Sequence, residues 1–288
     1  MMRAMRVVAL ARKLAAAAVA LALAACAAPA AVSVPTLDPR KCAKDLLKTL
    51  YPGILTFGAD QPVYPPWYMG DDPANGEGFE SALAYAVAGR LGYGHDDVRW
   101  VRVPFNAALS PGPKAFDANL SQFSITEQRK AAVDFSSPYF DVTQAVVTVR
   151  SSPAAAVHTL AALRPLRLGA QVGTTSYTAA TSVAGSERVE VYKTNVDARM
   201  ALAQGEIDAL VVDLPTALSL AADMRDGITV GQLPTPAEDV EHFGIVLGHG
   251  SALTRCVSWA VDSLRAEGEL ARLEQRWLAG AGRAPILR

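Results

Sequence analysis

Short apolar runs alternate along the chain with longer stretches in which apolar residues recur at helical spacing. The runs predict strands at 54–58, 98–103, 145–149, 166–171, 189–192, 209–212 and 242–247. The stretches predict helices at 78–91, 175–183, 196–204 and 253–264, with a further helical segment beyond Gly268. Strands that alternate with helices are typical of an α/β fold with a mostly parallel sheet.

The first residues have a different pattern, which predicts a targeting segment. Basic residues end at Lys13, and the apolar run 14–25 that follows is too short to span a bilayer. Residues 1–25 are therefore predicted to be a signal peptide. The sequence Leu23-Ala24-Ala25-Cys26 resembles the lipobox of bacterial lipoproteins, which implies acyl chains on Cys26 and an extracytoplasmic protein anchored to the cell membrane. The alternative is an ordinary cleaved signal with a chance cysteine.

Residues 26–41 are small and punctuated by proline, as suits a tether between the lipid and a folded domain. Without the first 25 residues the chain has 23 basic and 28 acidic residues, a net charge of −5. A mildly acidic protein has no electrostatic attraction to nucleic acid, so that class of partner is excluded.

No common metal or cofactor motif occurs in the sequence. The histidines are scattered and lack the spacing of zinc ligands, and phosphate-binding and dinucleotide-binding glycine motifs are missing. We therefore expect no cofactor and no metal. The scattered histidines are His95, His158, His242 and His249.

Two cysteines remain after Cys26, namely Cys42 and Cys256. An even number of cysteines in an exported protein suggests one disulfide, here closing a loop of more than 200 residues. The alternative is a pair of buried free thiols.

The segment 116–129 carries the clearest candidate for ligand chemistry. A short strand ends in hydroxyl and amide residues, after which Thr126 is placed to cap a helix with Arg129 in its first turn. Free N–H groups at a helix start attract an anion, and a guanidinium beside them binds a carboxylate through two hydrogen bonds. The alternative is an ordinary capped helix with an arginine that faces solvent.

Several motifs in this order resemble the family 3 extracellular solute-binding proteins, the polar amino-acid receptors of ABC transporters. The similarity covers about residues 45–280. The motifs are Tyr64-Pro65-Pro66-Trp67, Gly78-Phe79-Glu80, Ser124-Ile125-Thr126 with Arg129, Val133-Asp134-Phe135-Ser136, Gly173-Thr174-Thr175-Ser176, and Gly205-Glu206-Ile207-Asp208-Ala209 with Asp213.

The resemblance implies specific roles in binding an amino acid. Arg129 would bind the α-carboxylate with help from Ser124 and the backbone around Gln122, and Asp213 would hold the α-ammonium. Donors from the second lobe would come from Thr174, Thr175 and Ser176. Tyr64 and Trp67 would pack against the ligand side chain. We expect Asp208, Trp259 and Trp277 to be structural.

The resemblance also implies the architecture, two doubly wound lobes of the periplasmic-binding-protein type II fold. Lobe one would comprise 42–145 and 247–288, lobe two 149–240, with crossing strands near 143–149 and 241–247. The monomeric protein would capture an amino acid between the lobes and deliver it to an ABC permease. Two alternatives remain on this fold: a dehydratase-type enzyme, for which Glu80 is the nearest acid, and a lobe that senses the ligand for a membrane partner.

Overall fold

The computed structural model describes residues 38–236, 239–279 and 284–288. The predicted signal peptide, Cys26 and the tether up to residue 37 lie outside the described residues. The strands are β1 (Leu55–Ala59), β2 (Val98–Arg102), β3 (Ala118–Asn119), β4 (Val133–Phe135), β5 (Phe140–Val142), β6 (Gln144–Val149), β7 (Leu168–Gln171), β8 (Val189–Tyr192), β9 (Ala209–Asp213), β10 (Gly227–Gln232), β11 (Glu241–Phe243) and β12 (Val246–Gly248). The helices are α1 (Phe79–Arg90), α2 (Phe105–Leu109), α3 (Glu127–Lys130), α4 (Leu160–Leu163), α5 (Thr175–Ala184), α6 (Asn195–Gln204), α7 (Leu214–Asp223), α8 (Thr254–Ala266) and α9 (Glu269–Trp277).

Hydroxyl and carboxylate side chains begin several of these helices. Thr126 accepts a hydrogen bond from the Arg129 N–H at the start of α3, as predicted, and Thr174 caps α5 in the same way. Thr194 and Asp197 form a reciprocal capping box at the start of α6. Each cap satisfies an N–H group that has no partner within the helix, so helix starts are fixed by the local sequence.

The first lobe is built on a five-stranded sheet of order β2-β1-β3-β12-β4. Strands β1, β2 and β3 are parallel, while β12 runs antiparallel to both of its neighbours. Helices α1, α8 and α9 pack together against this sheet through an apolar cluster that includes Leu83, Val87, Val257 and Val261. The amphipathic helix predicted at 253–264 is confirmed, and it ends before Gly268, which adopts a left-handed conformation.

The second lobe is built on a five-stranded sheet of order β10-β6-β9-β7-β8. Strands β9, β7 and β8 are parallel, whereas β6 is antiparallel to both β9 and β10. Helices lie on both faces of this sheet, as shown by two separate apolar clusters that contain alternate residues of β9, with Ala209 and Val211 in one and Leu210 and Val212 in the other. The fold is therefore the predicted α/β architecture of two lobes, with antiparallel strands in both sheets.

A separate two-stranded antiparallel sheet, β5 with β11, joins the lobes. The connecting strands therefore do not lie at the positions predicted near 143–149 and 241–247. Residues 144–149 belong instead to the sheet of the second lobe. The second run divides at Gly244 into β11 and β12, and β12 already belongs to the first lobe. Periodicity could not locate these changes, because all of the segments are apolar and extended.

The last described residues, 284–288, pack on the second lobe. The Leu287 N–H donates to the Gln232 carbonyl at the end of β10, and Leu287 is buried in the apolar core beside that strand. The Arg288 N–H donates to the His158 carbonyl of the same lobe. Assignment of this end of the chain to lobe one was therefore wrong, and its five residues gave no periodic signal.

Cys42 and Cys256 form a disulfide, with their Cα atoms 5.3 Å apart. The bridge attaches the short 3-10 helix Pro39–Cys42, which the sequence placed at the end of the tether, to helix α8 of the first lobe. Among the described residues, no helix has both the length and the apolar character needed to cross a membrane.

Candidate functional site

Polar residues from both lobes meet at the carboxyl ends of the strands. Asp60 follows β1, Gln122 lies after β3, Thr174 follows β7, and Asp213 ends β9. In open α/β sheets this edge is where ligands bind, because the loops leave a crevice there. The enclosed cavity has a volume of about 40 Å³. It is lined by Asp60, Tyr64, Phe105, Ser121, Gln122, Arg129, Gln144, Gln171, Thr174, Thr175, Ser176, Asn195, Val212, Asp213 and Phe243.

The lobes are closed on each other in the structure. Arg129 of the first lobe donates to its own lobe at the Ser124 carbonyl (2.7 Å) and to the second lobe at the Gly173 carbonyl (3.0 Å). The Asn106 amide also reaches the second lobe, at the Val172 carbonyl. The cavity has room for only a few water molecules, so an amino acid enters only if the lobes separate.

Arg129 lies on the cavity wall with its guanidinium over the ring of Phe105, 5.5 Å from the ring centroid. Burial lowers the pKa of Arg129 to about 10, and the nearby Glu241 carboxylate partly opposes that effect. The side chain therefore remains a cation at neutral pH. Two of its five N–H groups are bonded to backbone carbonyls, which leaves others for a ligand oxygen.

The start of α5 contributes backbone rather than hydroxyl donors. The Thr174 hydroxyl donates to the Gln171 carbonyl and caps the Tyr177 N–H, and the Ser176 hydroxyl donates to Gln144. The Thr175 hydroxyl donates to Glu241. These hydroxyl protons are already used within the protein, but the first N–H groups of a helix have no partner within it. An anion at this position would therefore bind the N–H groups of residues 175 and 176.

Asp213 is a buried carboxylate that ends β9 and caps α7. Its two oxygens accept hydrogen bonds from the Thr216 N–H (2.9 Å) and the Thr216 hydroxyl (2.8 Å). Burial raises the pKa of Asp213 to about 6, although the bonds from Thr216 favour the ionised form. The carboxylate is ionised at neutral pH but lacks a neighbouring cation in this network. A cationic group in the cavity would supply that missing charge.

Trp67 is not part of the cavity wall. Its ring is fully buried in the core of the first lobe, against the rings of Phe79, Phe140 and Phe243. The indole N–H donates to the Thr216 hydroxyl of the second lobe at 2.8 Å. The expectation that Trp67 packs against a ligand side chain is therefore wrong. Trp67 instead binds, from the opposite lobe, the Thr216 hydroxyl that donates to Asp213.

Gln122 lines the cavity in a left-handed backbone conformation with φ of 52°. The Glu80 carboxylate holds it there, since it accepts the Gln122 N–H at 2.7 Å and also the side-chain amide. Tyr139 donates to the same carboxylate, and burial raises the pKa of Glu80 to about 7. Glu80 is fully buried behind Gln122 rather than on the cavity wall, so it positions Gln122.

Tyr64 lies where the cavity adjoins a larger one of about 450 Å³. Asn195 lines both cavities too, and the rest of the larger one includes Pro65, Val196 and Leu220. Within the described part of the chain, the Tyr64 hydroxyl and the Asn195 amide oxygen are buried without a hydrogen-bond partner.

Ser124 lies behind the residues that line the cavity. Its hydroxyl is bonded to Glu241 and is 3.1 Å from the Thr175 hydroxyl. Asp208 pairs with Arg167 on the surface of the second lobe, in agreement with a structural role. Trp259 and Trp277 pack partly buried against the core of the first lobe, as expected. Across the described ranges, no group of three or more His, Cys, Asp or Glu side chains is placed to hold a metal.

The sequence did not identify several lining residues. Asp60 could have been predicted to line the cavity, because it lies at the end of a buried strand as Asp213 does. Phe105, Gln144 and Asn195 stand in no local motif and reach the cavity only through the packing of the lobes. The same holds for Glu241, which the hinge sheet brings beside Ser124 and Thr175.

A closed cleft between two α/β lobes, with a cation from one lobe and an anion from the other, defines a solute-binding protein. The model of the bacterial extracellular solute-binding proteins, family 3, matches residues 55–280, and the chain belongs to that family. The arginine-binding periplasmic protein of Mannheimia haemolytica is 27% identical over 248 residues, which cover 82% of this chain and 99% of that protein.

Two solved structures of ancestral proteins have similar folds. An ancestral arginine-binding protein bound to arginine has a TM-score of 0.65 and 28% identity, with 78% of this chain and 98% of that one covered. The ancestral amino acid-binding protein AncCDT-1, a precursor of cyclohexadienyl dehydratase, has a TM-score of 0.65 and 27% identity, with 78% and 95% covered.

Proposed function

We propose that the protein is the extracytoplasmic substrate-binding component of an amino-acid ABC transporter and captures its ligand between the two lobes. The observation that carries this proposal is that Arg129 and Asp213, from different lobes, line one small enclosed cavity. An amino-acid zwitterion needs one fixed cation and one fixed anion, because burying either of its charges without a partner costs several kcal/mol.

The α-carboxylate would bind the Arg129 guanidinium and the N–H groups at the start of α5. The α-ammonium would bind Asp213, whose raised pKa it would lower again by supplying a neighbouring positive charge. Because the two anchoring groups belong to different lobes, the bound ligand favours the closed arrangement through its differential affinity for it. A closed form of this kind is what a permease would recognise.

The charges of the cavity favour a basic amino acid. The charged residues on its described wall are Asp60, Arg129 and Asp213, so one carboxylate remains after the zwitterion has been paired. Asp60 accepts hydrogen bonds from the Gln61 and Phe105 N–H groups, and its burial raises its pKa. A ligand with a cationic side chain would neutralise Asp60. The names of the arginine-binding relatives agree with this assignment.

A binding role without catalysis is the simplest interpretation of these contacts. Glu80, the acid that the sequence offered for an enzyme on this scaffold, is covered by Gln122. The acids on the cavity wall, Asp60 and Asp213, would bind the cationic groups of the ligand. We also propose that acyl chains on Cys26 anchor the protein to the cell membrane, since two or three chains give stable attachment.

The test is a thermal-shift screen of the purified protein against the twenty amino acids, followed by calorimetry. A ligand at 100 times its Kd stabilises by about 2.7 kcal/mol, which a melting experiment detects easily. We expect arginine to bind at least about tenfold more tightly than citrulline, which has a similar shape without the charge. Arg129→Ala should remove binding while the circular dichroism spectrum stays unchanged. A wild-type protein that responds to no amino acid would refute the proposal.

A further inference from the structure

The Glu241 carboxylate lies at the hinge and accepts hydrogen bonds from three side chains. The Thr175 hydroxyl donates at 2.6 Å and the Gln144 amide at 2.8 Å, and the Ser124 hydroxyl is the third donor. Glu241 itself is on β11, one of the two strands that connect the lobes. No motif of the sequence includes this residue.

The donors belong to both lobes. Ser124 precedes α3 in the first lobe, and its backbone bridges to Phe243 of β11. Thr175 is the first residue of α5 and Gln144 the first residue of β6, both in the second lobe. The contacts to Ser124 and Thr175 therefore exist together only when the lobes are closed.

The hydroxyl protons of Ser124 and Thr175 are used in the contact with Glu241 and not in ligand binding. A hydroxyl group has one proton, and those of Ser124 and Thr175 are both donated to Glu241. Neither hydroxyl then has a proton for a ligand carboxylate, although the family resemblance implied that role for both. Hydrogen bonds to an ionised acceptor are about twice as strong as neutral ones, so the two hydroxyls contribute substantially to the interaction between the lobes.

We propose that Glu241 is the positioning residue for lobe closure: from the hinge, its carboxylate joins a hydroxyl of each lobe and favours the closed cleft. The residue acts through Ser124 and Thr175 and does not touch the ligand. The effect on affinity rests on the proposed function, whereas the effect on closure does not. Glu241 also lies close enough to influence Arg129 electrostatically, so it helps to keep that buried guanidinium charged.

The experiment compares Glu241→Ala, Glu241→Gln and the wild type by small-angle X-ray scattering without ligand and by calorimetry with arginine. We expect Glu241→Ala to increase the radius of gyration and to weaken arginine binding by about tenfold or more, since it removes bonds to a charged group. Glu241→Gln should have an intermediate effect, because its amide oxygen still accepts from both hydroxyls while its NH₂ group would face the Gln144 amide donor. Glu190→Ala, which removes an exposed glutamate from β8, is the matched control and should change neither quantity.

Thr175→Val removes one of the donors without altering Glu241, and the same increase in radius is expected. It provides the readout if Glu241→Ala does not fold. An unchanged radius of gyration in the folded variants would overturn the proposal. So would tighter arginine binding by Glu241→Ala, which would make Glu241 an internal competitor of the ligand carboxylate. If the wild type bound no amino acid, the proposed function would fail, and the scattering comparison would still decide the role of Glu241.

Discussion

Replacing Asp213 with asparagine should stabilise the ligand-free protein and strongly weaken its binding of arginine. Burial raises the pKa of Asp213 from 3.8 to about 6, so the folded state holds this proton more tightly than the unfolded state does. Keeping the carboxylate ionised at pH 7 therefore costs about 3 kcal/mol of folding free energy. The penalty is fully present above about pH 6 and disappears as the pH falls towards 3.8.

Asparagine removes the charge and keeps most of the contacts. Its amide oxygen still caps the Thr216 N–H, whereas the bond from the Thr216 hydroxyl is lost at a cost of about 1 kcal/mol. The net gain is about 2 kcal/mol at pH 7, which corresponds to a rise in Tm of about 4–8 °C for a chain of this size. Arginine binding should fall by at least about 100-fold, because the α-ammonium loses its counter-charge.

The assay is thermal unfolding of Asp213→Asn and wild type at pH 7 and at about pH 4.5, where the calculated advantage has vanished. Asp117→Asn is the control. Asp117 is also a buried carboxylate with a raised pKa, but its oxygens accept N–H groups from Leu50 and Thr56. An amide there would place its NH₂ group against a donor and should destabilise the protein. An Asp213→Asn variant no more stable than wild type at pH 7 would contradict the reasoning, as would an advantage independent of pH.

The remaining predictions concern the cysteines. Oxidised protein should have an intact mass about 2 Da below that of the reduced chain, and Cys256→Ser should lose about 3–5 kcal/mol of stability, because the bridge closes a loop with a sequence separation of 214. Equal denaturation midpoints with and without reductant would count against that contribution. Cys26→Ser should abolish incorporation of a labelled fatty acid and release the protein from the membrane fraction; labelling that persists would rule out Cys26 as the anchor.

Local sequence was sufficient to predict most helices and strands of the second lobe. Helix α5 begins at Thr175, as predicted, and β8 spans 189–192 as predicted, because a capping threonine and apolar periodicity are local signals. Strand β10 was missed, since Gly227 and Gly231 lower the strand propensity of that segment. The predicted position of the hinge strands was wrong for a different reason. Their pairing joins residues about a hundred positions apart, which local sequence does not indicate.

The candidate site shows the same division between local and distant signals. Arg129 and Asp213 stand in recognisable motifs, and both line the cavity. Trp67 also belongs to a motif, yet its side chain lies in the core. The motif predicts a loop but does not predict the direction in which each side chain of that loop points. Glu241 has no motif, and its role depends on three partners distant in sequence.

The return of residues 284–288 to the second lobe has a practical consequence. The disulfide fixes Cys42 to the first lobe, while the backbone of Arg288 is bonded to the second. The two ends of the described chain are therefore attached to opposite halves of a molecule that must open and close. Fluorophores placed at these ends would report that motion as a change in energy transfer, without an insertion into either lobe. Labels at these two ends would therefore make the protein an optical sensor for its own ligand.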